Sequence, residues 1–359
     1  MSPLRPTPRT GGAARRRISA LRYAVAVLAV ATALAGCGIR LETPAPTAPA
    51  PDLTEIVRSR SVDDALELAA RARAASTGAS PAVQQVLARV ADFSDQHAVE
   101  LGGTYDSGLA TPMPSTLTPA AEPTAVPDAT QVLALLTTAD QTAAADAADV
   151  PGGALARLLA SIAASRADLV AQLAPALGVP ATGAGSPAAS PPVAAPADGA
   201  TAGSPSRTAD SASPSTPQPA DVPTTDRIGL VAAEDQSGYA YEVLAAKLDE
   251  PRREAARAAA AVHRTRAETW AQVWALDATT SDPRRATYAL PAGLDDPATA
   301  LALAQSLAMG LTTTYATAVA DSARASRPEL IASLLAASSD AAAWGAPAVA
   351  FPGLPERAG

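Results

Sequence analysis

From Asp52 onward the apolar residues recur every three or four positions, and the pattern stops wherever glycine, proline or serine cluster. This spacing predicts helices over about 52–75, 81–101, 129–148 and 154–177, and again over about 226–248, 251–275, 297–325 and 328–344. Val83, Val86, Val90, Phe93, His97 and Leu101 fall on one face of the second of these. In the fifth, Leu230, Glu234, Ser237, Tyr241, Leu244 and Leu248 form an interior stripe that contains a carboxylate. In the sixth, Ala256, Ala260, His263, Ala267, Trp270 and Trp274 form another, which contains an imidazole.

Eight helices in two blocks, each reading short turn, long connection, short turn, predict an all-α chain of two tandem four-helix bundles. One long crossover between helices two and three is the ferritin-like topology, whereas uniformly short loops would give an up-down-up-down bundle. The blocks also share sequence. Leu158-Leu159-Ala160-Ser161-Ile162 parallels Leu330-Ile331-Ala332-Ser333-Leu334, and the only two histidines, His97 and His263, sit late in corresponding helices. Duplication and chance similarity between alanine-rich helices both account for this. Residues 179–224, rich in proline, alanine and serine, cannot bury enough apolar surface to order themselves and read as a disordered linker. The expected organisation is a leader over 1–36, a proline-rich tether over 37–52, a first bundle over 53–178 and the linker over 179–224. A second bundle then covers 225–347, and a tail 348–359.

Composition narrows the class. The chain is 48% hydrophobic but only 3% aromatic, so its apolar content is mostly alanine, leucine and valine, which favours helices over strands. Residues 1–36 hold six arginines and no acid, so the net charge of −8 becomes −14 without them. Such a chain repels phosphate backbones, which argues against nucleic-acid binding. Cys37 is the only cysteine, which excludes intrachain disulfides, cysteine metal clusters and any thiol chemistry elsewhere in the chain.

Before Cys37 a basic segment is followed by an apolar run, Tyr23 to Ala35, shorter than the roughly 17–25 residues a spanning helix needs. Leu34-Ala35-Gly36-Cys37 resembles the cleavage site of bacterial lipoproteins. The resemblance implies lipidation of Cys37, cleavage before it, and a protein held on the extracytoplasmic face of the cell membrane. The competing reading is an uncleaved anchor helix, and export by the general or the twin-arginine route stays open. Thr43 to Pro51 reads as an extended spacer.

The second block resembles a known family. Val231-Ala232-Ala233-Glu234-Asp235, Tyr239-Ala240-Tyr241, His263-Arg264-Thr265-Arg266, Tyr288-Ala289-Leu290-Pro291 and Ala350-Phe351-Pro352-Gly353-Leu354-Pro355-Glu356 are similar, in that order, to an actinobacterial ferritin-like family catalogued as domain of unknown function 4439. The resemblance implies a ferritin-like fold and an exported setting. Asp235 stands where the family pattern leads one to expect histidine beside Glu234.

A di-iron site needs glutamates from two helices and Glu-x-x-His from two more. Two histidines, preceded at the third position by Ser94 and Ala260, do not supply it. No metal ligand set and no cofactor are therefore expected. Glu234 on an interior stripe must be paired or neutralised, and His263 or an arginine is the expected partner. The sequence shows no Gly-x-Ser-x-Gly elbow, phosphate loop or dinucleotide fingerprint. The reading is a non-enzymatic scaffold or binding module, held to the membrane by lipid on Cys37, that meets a protein or envelope ligand. A degenerate ferritin-like metal-binding protein and a hydrolase with a dispersed triad are the alternatives.

Overall fold

The computed structural model describes residues 50–105, 128–179 and 221–357. The segment expected to be a leader, Cys37 and most of both proline-rich segments lie outside the described residues. Among the described residues eight α-helices follow one another: α1 (Leu53–Ala75), α2 (Pro81–Glu100), α3 (Ala129–Asp149), α4 (Gly153–Ala176), α5 (Thr224–Lys247), α6 (Arg252–Val273), α7 (Pro297–Asp321) and α8 (Arg327–Ala343). There is no strand among the described residues, and no helix there is long and apolar enough to cross a membrane.

The starts are fixed by local chemistry. Asp52, Ser80, Asp128 and Asp296 each accept a hydrogen bond from a backbone N–H three residues on, satisfying donors that the first turn leaves open. Proline occupies the first turn of α2, α7 and α8, where its missing N–H costs nothing. The periodicity carries the seventh helix to 325, but α7 stops at Asp321. Ser322 is extended there (φ −91°, ψ 156°), and a short 3₁₀ turn, Arg324–Ser326, leads into α8.

In the first half α1 packs on α2, α3 on α4, α1 on α3 and α2 on α4. In the second, α5 packs on α6, α7 on α8 and α5 on α7. The halves meet through α4, which touches α7 and α8, and through α3, which touches α8. This explains why α4 lacks a polar face: Leu158 to Arg166 are buried without interruption, as expected of a helix surrounded on every side. Small residues let the backbones close in. A Cβ added at Gly153 would lie 2.0 Å from the carbonyl oxygen of Ala320, so no larger residue fits where α4 begins against the end of α7.

One hydrophobic core runs through this seam, joining Val57, Leu159 and Ile162 to Trp270, Tyr315, Ile331 and Leu334. Two further cores belong to the first half (around Leu68, Leu87 and Leu136) and to the second (around Tyr241, Leu244 and Leu248). Arg327 Nη1 donates to the Val150 carbonyl at 2.5 Å, closing the α3–α4 turn against the start of α8.

The segment set apart as a tail is part of the seam core. Ala350, Phe351 and Leu354 are buried. Ser161 Oγ donates to the Pro352 carbonyl at 2.8 Å, Arg157 Nη2 to that of Gly353 at 3.2 Å, and Arg157 pairs with Glu356 at 2.9 Å. Gly353 has φ +82°, and a Cβ there would lie 2.6 Å from the Thr312 carbonyl oxygen. Only glycine allows the chain to turn back onto α7 at this point.

Candidate functional site

Two arrangements collect polar chemistry. The first is inside the second half, where every member of both predicted stripes is buried. Glu234 on α5 is 0% exposed. Nδ1 of His263, on α6, lies 2.6 Å from its Oε2, and the Tyr315 hydroxyl on α7 donates to its Oε1. Arg266 Nη1 stands 4.0 Å from the same oxygen. A carboxylate only accepts, so with Glu234 ionised Nδ1 is the protonated ring nitrogen. Burial, followed by the Glu234 charge, pushes the Tyr315 hydroxyl well above the usual tyrosine range, which keeps it a neutral donor. Tyr241 stacks on His263 at 5.3 Å and fixes the ring plane, and its own hydroxyl donates to the Ala304 carbonyl at 3.0 Å. Asp340 on α8 has its carboxyl raised by burial, and His263 and Arg266 oppose that rise.

Glu234 and His263 thus meet, with Tyr315 and Arg266 completing the group. The side chains are buried; His263 and Tyr315 hydrogen-bond Glu234, while Arg266 Nη1 stands beside it as a charge without a hydrogen bond among the described residues. Among the described residues no three histidine, cysteine, aspartate or glutamate side chains converge as a metal would require. The arrangement acts as a polar fastener between three helices. Asp235, beside Glu234 in the chain, also has structural work. Its Oδ1 accepts from Arg264 Nη1 at 2.5 Å, and its Oδ2 accepts from the Arg285 N–H at 3.0 Å and the Tyr288 hydroxyl at 2.7 Å. It pins the long connection between α6 and α7 onto the bundle.

Among the described residues the first half has no such group. His97 is 0% exposed; its Nε2–H donates to the Ala350 carbonyl at 2.8 Å, and Nδ1 has no partner among the described residues. Burial, reinforced by the positive charge of Arg166, drives its pKa down to about 3, so it is neutral. Arg166 donates through Nη1 to the Ala139 carbonyl at 2.9 Å, with Nε and Nη2 unpaired among the described residues. Burial lowers the Arg166 pKa to about 10, partly offset by Asp64 and Asp140.

The second arrangement is open. A cavity of about 710 Å³ lies between α2, α4, α7, α8 and the chain after α8. Phe93, Met309, Val349 and Phe351 give it apolar walls, while Gln96, Asp168, Gln172, Thr313 and Ser338 supply polar groups. Asp168 is half-buried; Ser338 Oγ donates to its Oδ2 at 2.5 Å, across the seam, and its Oδ1 takes no hydrogen bond among the described residues. Burial pushes its carboxyl up to about 6, with the Ser338 hydrogen bond acting the other way. The arginines at the rim are occupied, Arg89 with Gln172 and Arg357 with Glu100. Size, apolar walls and a few convergent polar groups are the features of a small-molecule site.

Sequence reasoning missed this groove because its walls come from both halves.

Residues 229–356 match a family model described as Domain of unknown function (DUF4439), the part of the chain that contains Glu234, His263, Tyr315 and the segment after α8. Neither curated proteins nor solved structures yield a match.

Proposed function

We propose that this chain is a lipid-anchored, extracytoplasmic binding module without catalytic activity, built from two tandem ferritin-like bundles and receiving its ligand in the seam groove. The cavity of about 710 Å³ carries this reading, because it is open and mixed in polarity while the one buried histidine–glutamate pair is sealed. The tandem arrangement is supported by the seam. Exchanging the halves turns α4 into α8 and α3 into α7, and the contacts α4–α8, α4–α7 and α3–α8 then map onto one another. Lipid on Cys37 would hold the groove near the membrane, since two acyl chains anchor stably at about 0.8 kcal/mol per buried CH₂.

Photo-crosslinking in intact cells tests the binding reading. A photoreactive amino acid at Thr313, on the groove wall, is expected to give a discrete adduct, and one at the exposed Ala261 on α6 is not. Equal labelling at both positions, or none at Thr313, would remove the support. Cys37→Ala is expected to shift the protein from the membrane to the soluble fraction.

A further inference from the structure

The chemistry inside the groove specifies more than a binding site. Asp168 is its one acidic side chain, and one carboxylate oxygen is held by Ser338 while the other is not engaged by any described residue. A half-buried carboxylate is ordinarily matched by a cation, because removing its charge from water is costly unless paired. Among the described residues no basic side chain pairs with Asp168. Of the two arginines that line the groove, Arg89 donates to Gln172, one turn beyond Asp168 on α4, and Arg357 pairs with Glu100. Around the carboxylate the walls are apolar, from Phe93 on α2 to Met309 on α7 and Val349 and Phe351 beyond α8.

We infer that the groove binds an amphipathic amine, a small organic cation whose ammonium sits on Oδ1 of Asp168 and whose apolar body lies along Phe93, Met309, Val349 and Phe351. This rests on the groove being a binding site and adds the charge and shape of its occupant. An ammonium restores the missing partner of Asp168, and an alkyl or aryl body removes apolar wall from water. A carboxylate ligand of the same length would face Asp168 as a like charge. Cavities of roughly 300–1,000 Å³ suit ligands of this class.

The test is calorimetric titration of the purified full chain with three probes that share one chain length: n-octylammonium, n-octanol and n-octanoate, each below its aggregation concentration. The expected result is saturable one-to-one binding of octylammonium, at least tenfold tighter than octanol, with octanoate weakest. Asp168→Asn should bring octylammonium down to the octanol level, while Ser338→Ala, which leaves the carboxylate in place, should hold its affinity within threefold. Octanoate equal to octylammonium, or an Asp168→Asn variant that binds octylammonium unchanged, overturns the amine assignment. If octanol binding is abolished by Ala342→Trp, which fills the groove, the binding-module reading survives that outcome. Absence of binding by all three probes also overturns the amine assignment, and the Thr313 crosslink then decides the fate of the groove separately.

Discussion

His97 and His263, each on the second helix of its half, have opposite surroundings. His263 is locked to Glu234, with Tyr315 and Arg266 beside it within the second half. His97 reaches out of its own half to the Ala350 carbonyl, and the buried cation nearby, Arg166, makes one hydrogen bond of the five it could donate. The second half is therefore fastened internally, and the first relies on the segment after α8 to complete its interior. Buried polar groups cost little when every member is satisfied and much when one is removed, so the halves should respond differently to the same kind of substitution.

The largest expected effect is in the second half. Glu234→Leu leaves His263 and Tyr315 without their shared acceptor and the buried Arg266 without its counter-charge, and should cost about 3–5 kcal/mol by denaturant titration. Arg166→Met in the first half replaces a poorly paired buried charge with an apolar side chain of similar length and should fall within about 1 kcal/mol of the parent. Equal losses would erase the contrast.

Next comes the seam. Phe351→Ala removes a ring shared by both halves and should cost about 3 kcal/mol. The sparse aromatics of the first half predict that it melts ahead of the second. The shared core couples them instead, so calorimetry should show one transition whose calorimetric and van't Hoff enthalpies agree. Two separated transitions would show that the seam is too weak to couple them.

The pH dependence sharpens the comparison further. His97 has its folded pKa lowered to about 3 against 6.5 for the free side chain, so between these values the unfolded chain binds a proton that the folded one does not. Its contribution to stability is lost as pH falls below 6.5, at about 1.4 kcal/mol per unit. Asp140 and Asp168, raised by burial to about 6, act in the opposite sense: the folded chain holds their protons first, and stability is lost as pH rises through 6. His97→Gln should therefore flatten the acid-side loss relative to the parent by about 1.4 kcal/mol per unit between pH 6 and 4, measured by denaturant titration at each pH. A parallel pair of curves would mean that His97 is not held neutral.

The smallest effect concerns the connection between α6 and α7. Tyr288→Phe removes one hydrogen bond to Asp235 and should cost about 1 kcal/mol, read most clearly as faster amide exchange over residues 284–290.

Much of this was legible in the sequence because helical periodicity is a local signal. The stripes through Glu234 and His263 are written at spacings of three and four, and both are interior. Two things were not legible. Phe351 and Leu354 lie in a segment with no helical repeat, so nothing local marks them as core. The groove needs Asp168 and Ser338 to meet across 170 residues, and only the packing of α4 against α8 brings that about. Tyr315 was visible as an aromatic in a helix, but its role depends on facing Glu234 from another helix.

The continuity of the seam core has a consequence for the covalent link between the halves. Because α4 is embedded among α7 and α8 by its own side chains, the residues between 180 and 220 need not hold the halves in register; they only keep the effective concentration of one for the other high. A chain cut within that span would be expected to run as a single particle in size-exclusion chromatography, and two separately produced fragments, 38–179 and 221–359, should find each other by complementation.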